Sequence, residues 1–212
     1  MKLVLATNNR DKAREIIDML AGLDIEIVTL EGYPDFPPTI EDGDTLEANA
    51  LKKAREASAH TGLTALADDT GLEVDALNGA PGVYSARYSG EGATYASNCA
   101  KLLHEMKDVP EGNRSARFRT VMVLVLVSQE RPFEYLMTDG VLPGKISAIS
   151  RGDHGFGYDP VFIDGASNKT LAEMSLAEKN RTSHRYRALI EMRELMLRLG
   201  LARETGSHAT GR

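Results

Sequence analysis

The segment ARFRTVMVLVLVS, from Ala116 to Ser128, limits the architecture more than any other stretch of the chain. Its first half alternates Ala116, Phe118 and Thr120 against Arg117 and Arg119, the period of a half-exposed strand, and its second half is wholly apolar. This is a core strand with one exposed end. The apolar run Val121 to Val127 is too short to span a bilayer. The next segment, FEYLMTDGVLPGKIS, reads as its partner in a long strand pair, so the fold is centred on a sheet.

Around that pair, strand and helix periods alternate. KLVLAT is a short strand that feeds the helix NNRDKAREIIDML, with Ala13, Ile16, Ile17 and Leu20 on one face. IEIVTL alternates as a second strand, and EGYPDFPPTIEDGD, with three prolines and two glycines, is a loop. The loop ends at a helix start where Asp44 and Glu47 form a capping-box-like pair, and Leu46, Ala50, Ala54 and Ala57 continue a buried stripe to about His60. LTALAD is a third strand that stops at Asp68 and Asp69; beyond this interruption GLEVDAL alternates as a half-exposed strand. A helix capped near Thr94 follows. SHRYRALIEMRELMLRLG closes the fold as an amphipathic helix with Ala188, Leu189, Met192, Leu195, Met196 and Leu199 facing the core. The expectation is an α/β or mixed architecture in one domain, residues 1–201, followed by a disordered tail, 202–212, which has no apolar periodicity.

Composition narrows the function classes. The 212 residues are 42% hydrophobic and carry a formal net charge of −6, which disfavours a nucleic-acid coat but leaves room for local basic clusters that hold a small anion. Such clusters occur at NNRDKAR, LKKAR and EKNRTSHRYR. The lone cysteine, Cys99, excludes an internal disulfide and reads as a small buried hydrophobe. No targeting segment is visible, so a cytoplasmic protein is expected and the three sequons at Asn113, Asn168 and Asn180 are chance matches.

Four polar segments sit where strands end or helices begin, the places where open α/β sheets bind ligands. Thr7 to Lys12 combines a hydroxyl, two amides, helix N-terminal N–H groups and a lysine, a set suited to phosphate oxygens, although Thr and Asn also serve simply as caps. Glu41, with Glu47 and Asn49 behind it, and the pair Asp68 and Asp69 offer carboxylates to a hard cation that also binds substrate phosphate, or the aspartates form only a turn with Thr70 and Gly71. GFGYDP presents Phe156 between glycines, and EKNRTSHR supplies Lys179, His184 and Arg185; flat aromatic and hydrogen-bonding groups together suit a purine base. GVLPGKIS is not a phosphate-binding Walker loop, because three residues rather than four separate its glycines and no Ser or Thr follows the lysine. There is no GxGxxG fingerprint either.

The pieces TNNRDKAREI, TLEANALKKA, ADDTGLEVDALNGAPGVYSARYSG, GFGYDPVF and EKNRTSHRYRA, in this order, resemble the non-canonical purine nucleoside triphosphate pyrophosphatases, also called inosine or xanthosine triphosphate pyrophosphatases. The resemblance implies an elongated mixed sheet with flanking helices, two lobes around a central cleft, and a homodimer. The implied activity is magnesium-dependent hydrolysis of ITP, dITP and XTP to the monophosphate and pyrophosphate. By position, Thr7, Asn8, Asn9, Arg10, Asp11, Lys12 and Lys53 hold the triphosphate, Glu41 and Asp69 hold the metal, and Asp69 also accepts the proton. Thr70 touches substrate. Phe156, Gly157, Tyr158, Asp159, Lys179, His184 and Arg185 form the base pocket, and Asp68 supports its neighbour. Two other readings are a pyrophosphatase for modified pyrimidine nucleotides, disfavoured by GFGYDP with SHR, and a catalytically silent nucleotide binder, disfavoured by the joint presence of Glu41, Asp68, Asp69 and Lys53.

Overall fold

A computed structural model describes residues 1–127 and 134–205. The chain runs β1 (Lys2–Leu5), α1 (Arg10–Leu20), β2 (Glu26–Thr29), α2 (Leu46–Thr61), β3 (Thr64–Val74), β4 (Pro81–Gly82), α3 (Tyr95–Glu105), β5 (Ser115–Val125), β6 (Tyr135–Ile146), β7 (Phe162–Asp164), α4 (Leu176–Thr182) and α5 (His184–Arg198). The strands form one mixed sheet in the order β2, β1, β3, β5, β6, β7, with β4 paired to β3 off this path. β1 is parallel to β2 and β3, whereas β3 to β5, β5 to β6 and β6 to β7 are antiparallel. The expected mixed α/β sheet with flanking helices is borne out.

Strand alternation distributes the core. On one face Ala65, Ala67, Val121, Val123 and Val125 pack against Ala50, Ala54 and Ala57 of α2. On the other, Leu66, Met122 and Leu124 pack against Ile16 and Leu20 of α1 and Ala188, Leu189, Met192 and Met196 of α5. A third cluster, with Leu72, Leu102, Phe118, Leu142 and Phe162, fills the far end of the sheet. The pleat therefore sends Asp69 to the α2 face, in line with Ala65 and Ala67, and Asp68 to the α1 and α5 face, in line with Leu66.

Several expectations are corrected. The aspartates do not interrupt a strand: β3 is continuous, and Asp68, Asp69 and Thr70 stand opposite Met122, Val121 and Thr120 of β5. No turn is needed, because cations on opposite faces of the sheet meet each carboxylate. α2 is capped by Thr45, whose side chain accepts from Ala48 N, while Glu47 pairs with Arg119. Ile17 and Leu199 are 39% and 54% exposed, so they fall off the buried stripes, and Glu15 is buried in their stead. Past residue 201, Ala202 is buried and Glu204 bridges to Leu23. Residues 206–212 lie outside the described residues.

α5 meets the sheet by direct backbone approach at Gly140, where a Cβ would stand 2.1 Å from the carbonyl oxygen of His184. Thr138 Oγ1 donates to the Ala188 carbonyl at 2.8 Å beside it. These contacts fix the start of α5, and with it His184 and Arg185, against β6. Gly140 and Gly144 thus lie inside a strand, as the rejection of a Walker loop requires.

Candidate active site

The ends of β1 and α1, the loop after β2, the middle of β3, the starts of α3 and α5 and the 156–159 loop converge on one cleft of about 1250 Å³, its open mouth included. Thr7, Asn8, Asn9 and Lys12 line one wall, Glu41, Lys53, Asp69 and Thr70 the floor, and Phe156 to Asp159 with Lys179, His184 and Arg185 the far wall. The structure thus brings together all the expected site residues except Arg10 and Asp11. Arg10 is turned outward to Glu31, with its side chain 85% exposed, because it starts α1 on the face away from the cleft.

At the α1 end, Asn9 is the N-cap and its Oδ1 accepts from Asp11 N and Lys12 N at 3.0 and 3.1 Å. Two amides expected to hold phosphate are therefore already bonded. The side-chain donors of this wall are the Thr7 hydroxyl, the Asn8 amide, Asn9 Nδ2, which donates to Tyr95 Oη at 3.0 Å, and the Lys12 ammonium, which meets Asp68 at 2.9 Å.

At the floor, α2 delivers Lys53 between two carboxylates, 2.8 Å from Asp69 Oδ1 and 3.5 Å from Glu41 Oε1. The Glu41 loop is tied on both sides: Asn49 Oδ1 accepts from Gly43 N at 2.8 Å, and Arg87 Nη2 donates to the Glu41 carbonyl at 2.9 Å. Burial pushes Asp69 above the ordinary carboxylate range, while Lys53 and Lys12 pull it back, so a buried base that gains a proton without leaving its partner is available here.

Behind the floor lies a charge network. Asp68 receives Lys12 at 2.9 Å and Arg185 at 3.3 Å, and against the opposing effect of burial these cations with Lys53 hold it far below the carboxylate range. Thr70 Oγ1 donates to Asp68 Oδ2 at 3.1 Å. The supporting role expected for Asp68 fits this geometry: the side chain is absent from the cleft lining and engages the residues that do line it. Glu15, which sequence reasoning missed, takes both Arg185 and Lys179, and Lys179 also reaches Asp159 at 2.7 Å. Its only signal was a place three residues after Lys12, on the same helical face.

On the far wall Lys179 Nζ sits 4.3 Å from the Phe156 ring centroid, and Asp159 accepts from Phe156 N at 2.9 Å, which fixes the loop. Tyr158 commits its hydroxyl to the Ser85 carbonyl. His184 stacks on Phe118 at 4.6 Å; burial, with Arg185 and Lys179 nearby, keeps its imidazole neutral, and its Nδ1 has no partner among the described residues. Of the three expected donors, Lys179 and Arg185 are thus engaged with acids and His184 has an open ring nitrogen. Cys99 is buried behind the loop, its Sγ against the Gly157 carbonyl, and burial pushes its thiol up to about 11.

Among the described residues no group of three or more His, Cys, Asp or Glu side chains forms a closed metal cage. Glu41 and Asp69 instead offer two carboxylates beside an open cleft, the donor set of a hard cation that keeps waters and shares substrate oxygens.

A model of the Ham1 family matches residues 3–195. The chain is 50% identical over 193 residues to a dITP/XTP pyrophosphatase of Geobacter sulfurreducens, covering 91% of this chain and 95% of that one. It is 50% identical over 202 residues to a dITP/XTP pyrophosphatase of Xanthomonas axonopodis pv. citri, covering 94% and 99%. Among solved structures, a HAM1 protein from Coxiella burnetii superposes with a TM-score of 0.85 at 39% identity, covering 93% of this chain and 99% of that one. A nucleoside-triphosphatase, dITP/XTP pyrophosphatase, from Mycobacterium abscessus gives 0.74 at 41% identity, covering 91% and 98%. With a family model across nearly its whole length and relatives at half identity, the chain belongs to the Ham1 family.

Proposed function

We infer that the protein hydrolyses dITP, XTP and ITP to the nucleoside monophosphate and pyrophosphate. The observation that carries this reading is Asp69, buried on the cleft floor with Lys53 at 2.8 Å and Glu41 beyond it, in a chain half identical to proteins named dITP/XTP pyrophosphatases.

In this mechanism Lys53, Lys12 and Asn9 bind the triphosphate and offset its charge, while Asp69 accepts the proton of the attacking water at a carboxylate oxygen. A positioned general base contributes roughly a hundred- to ten-thousand-fold, and alignment with charge neutralisation supplies the rest. Magnesium, held by Glu41 and Asp69 with substrate oxygens, would supply Lewis-acid stabilisation of the phosphate charge. Lys53 lies between the two carboxylates and keeps them from repelling each other.

Phe156 under Lys179 forms a platform for a flat base. A 6-keto purine presents an acceptor where adenine presents an amino donor. With Lys179 and Arg185 engaged by acids, the neutral His184 imidazole, which lines the cleft, is the group assigned to read that edge, donating from its protonated ring nitrogen. A buried reader left unpaired by the wrong base discriminates by roughly ten-thousand-fold. The test is kcat/KM for dITP and XTP against dATP with magnesium present. A preference of that order is expected, and equal values would refute the pocket assignment. A homodimer in the cytoplasm completes the proposal; sedimentation at micromolar concentration checks the dimer.

A further inference from the structure

Tyr95 is absent from every role assigned above, yet it lines the cleft. It opens α3 and is 46% exposed, so the fold does not need it as core. Two contacts give it a place. Its hydroxyl accepts from Asn9 Nδ2 at 3.0 Å, which ties it to the phosphate wall across 86 residues of sequence. Its ring centroid lies 5.9 Å from that of Phe156 at a tilt of 40°, which ties it to the base platform. The hydroxyl hydrogen has no acceptor among the described residues and is free to donate to a ligand oxygen.

We propose that Tyr95 is a substrate-contacting residue that spans the two halves of the site: its ring closes the slot beside the nucleoside, and its hydroxyl aims the Asn9 amide at the phosphates. An aromatic ring left half bare beside a cleft loses its water when a nucleoside covers it, and the gain appears in binding. Because these contacts exist before any bond breaks, they act on ground state and transition state alike. The signature is a change in KM with little change in kcat. The inference rests on the nucleotide-hydrolase reading of the site.

The test compares the full-length wild type with Tyr95→Ala and Tyr95→Phe, measuring kcat and KM on dITP and the dissociation constant of dIMP by titration calorimetry. Tyr95→Ala is expected to raise both KM and the dIMP constant by about tenfold, equivalent to about 1.4 kcal/mol, with kcat within roughly threefold. Tyr95→Phe, which keeps the ring and loses only the hydroxyl, recovers about half of that loss on a logarithmic scale. Values for Tyr95→Ala within about twofold of wild type, or a fall in kcat with KM unmoved, would overturn the proposal. Tyr95-dependent dIMP binding by a wild type that releases no pyrophosphate would sink the hydrolase reading alone. A wild type that binds no dIMP would sink both.

Discussion

Removing Glu15 should destabilise the protein more than any change on its surface. The carboxylate is 4% exposed and takes Lys179 at 3.0 Å and Arg185 through a short contact, two cations that are themselves buried. Deleting one partner of a buried pair costs about 3–5 kcal/mol, because the remaining charge is left without compensation. Here each cation keeps a second acid: Lys179 has Asp159 at 2.7 Å, and Arg185 has Asp68 at 3.3 Å. The lower end therefore applies, about 3 kcal/mol for Glu15→Ala. For a chain of this size 1 kcal/mol moves Tm by roughly 2–4 °C, so a fall of about 6–12 °C is expected by circular dichroism. Because the charges are buried, the loss should persist in about 0.5 M salt. A shift under about 2 °C would refute the reasoning, since it would mean that Asp159 and Asp68 alone satisfy both cations.

Acid stability should show two limbs. His184 is buried neutral with its affinity for protons lowered, so the unfolded chain binds the extra proton and stability falls as pH drops below about 6.5. Asp68 is depressed, so its contribution is complete above about pH 4 and is lost only below that; Asp68→Asn should flatten the lower limb of Tm against pH and leave the upper one. Arg87→Ala frees the Glu41 loop from a 2.9 Å hydrogen bond, and a net loss of about 1 kcal/mol predicts roughly a fivefold rise in the magnesium concentration for half-maximal activity, checked by metal titration.

The sheet and most helices were legible because their periods are strong: Ala50, Ala54 and Ala57 mark α2, and Ala116, Phe118 and Thr120 mark β5, in sequence as in structure. The Asp68–Asp69 step was misread as a break. Two adjacent carboxylates resemble a turn unless their partners are known, and those partners come from α1, α2 and α5, up to 117 residues away. Glu15 was hidden for the same reason, since a glutamate in a helix ordinarily faces water. The assembly of the cleft walls followed from the family resemblance, whereas the engagement of Lys179 with Glu15 and Asp159 and the outward turn of Arg10 are tertiary facts that no spacing encodes.

The most direct test of the account is magnesium-dependent pyrophosphate release from dITP by wild-type and Asp69→Asn protein, with folding monitored in parallel. A folded variant whose turnover falls by at least about a hundredfold, with pyrophosphate rather than orthophosphate as the wild-type product, is the predicted result. A folded Asp69→Asn protein that still releases pyrophosphate at close to the wild-type rate would contradict the placement of the proton acceptor at Asp69.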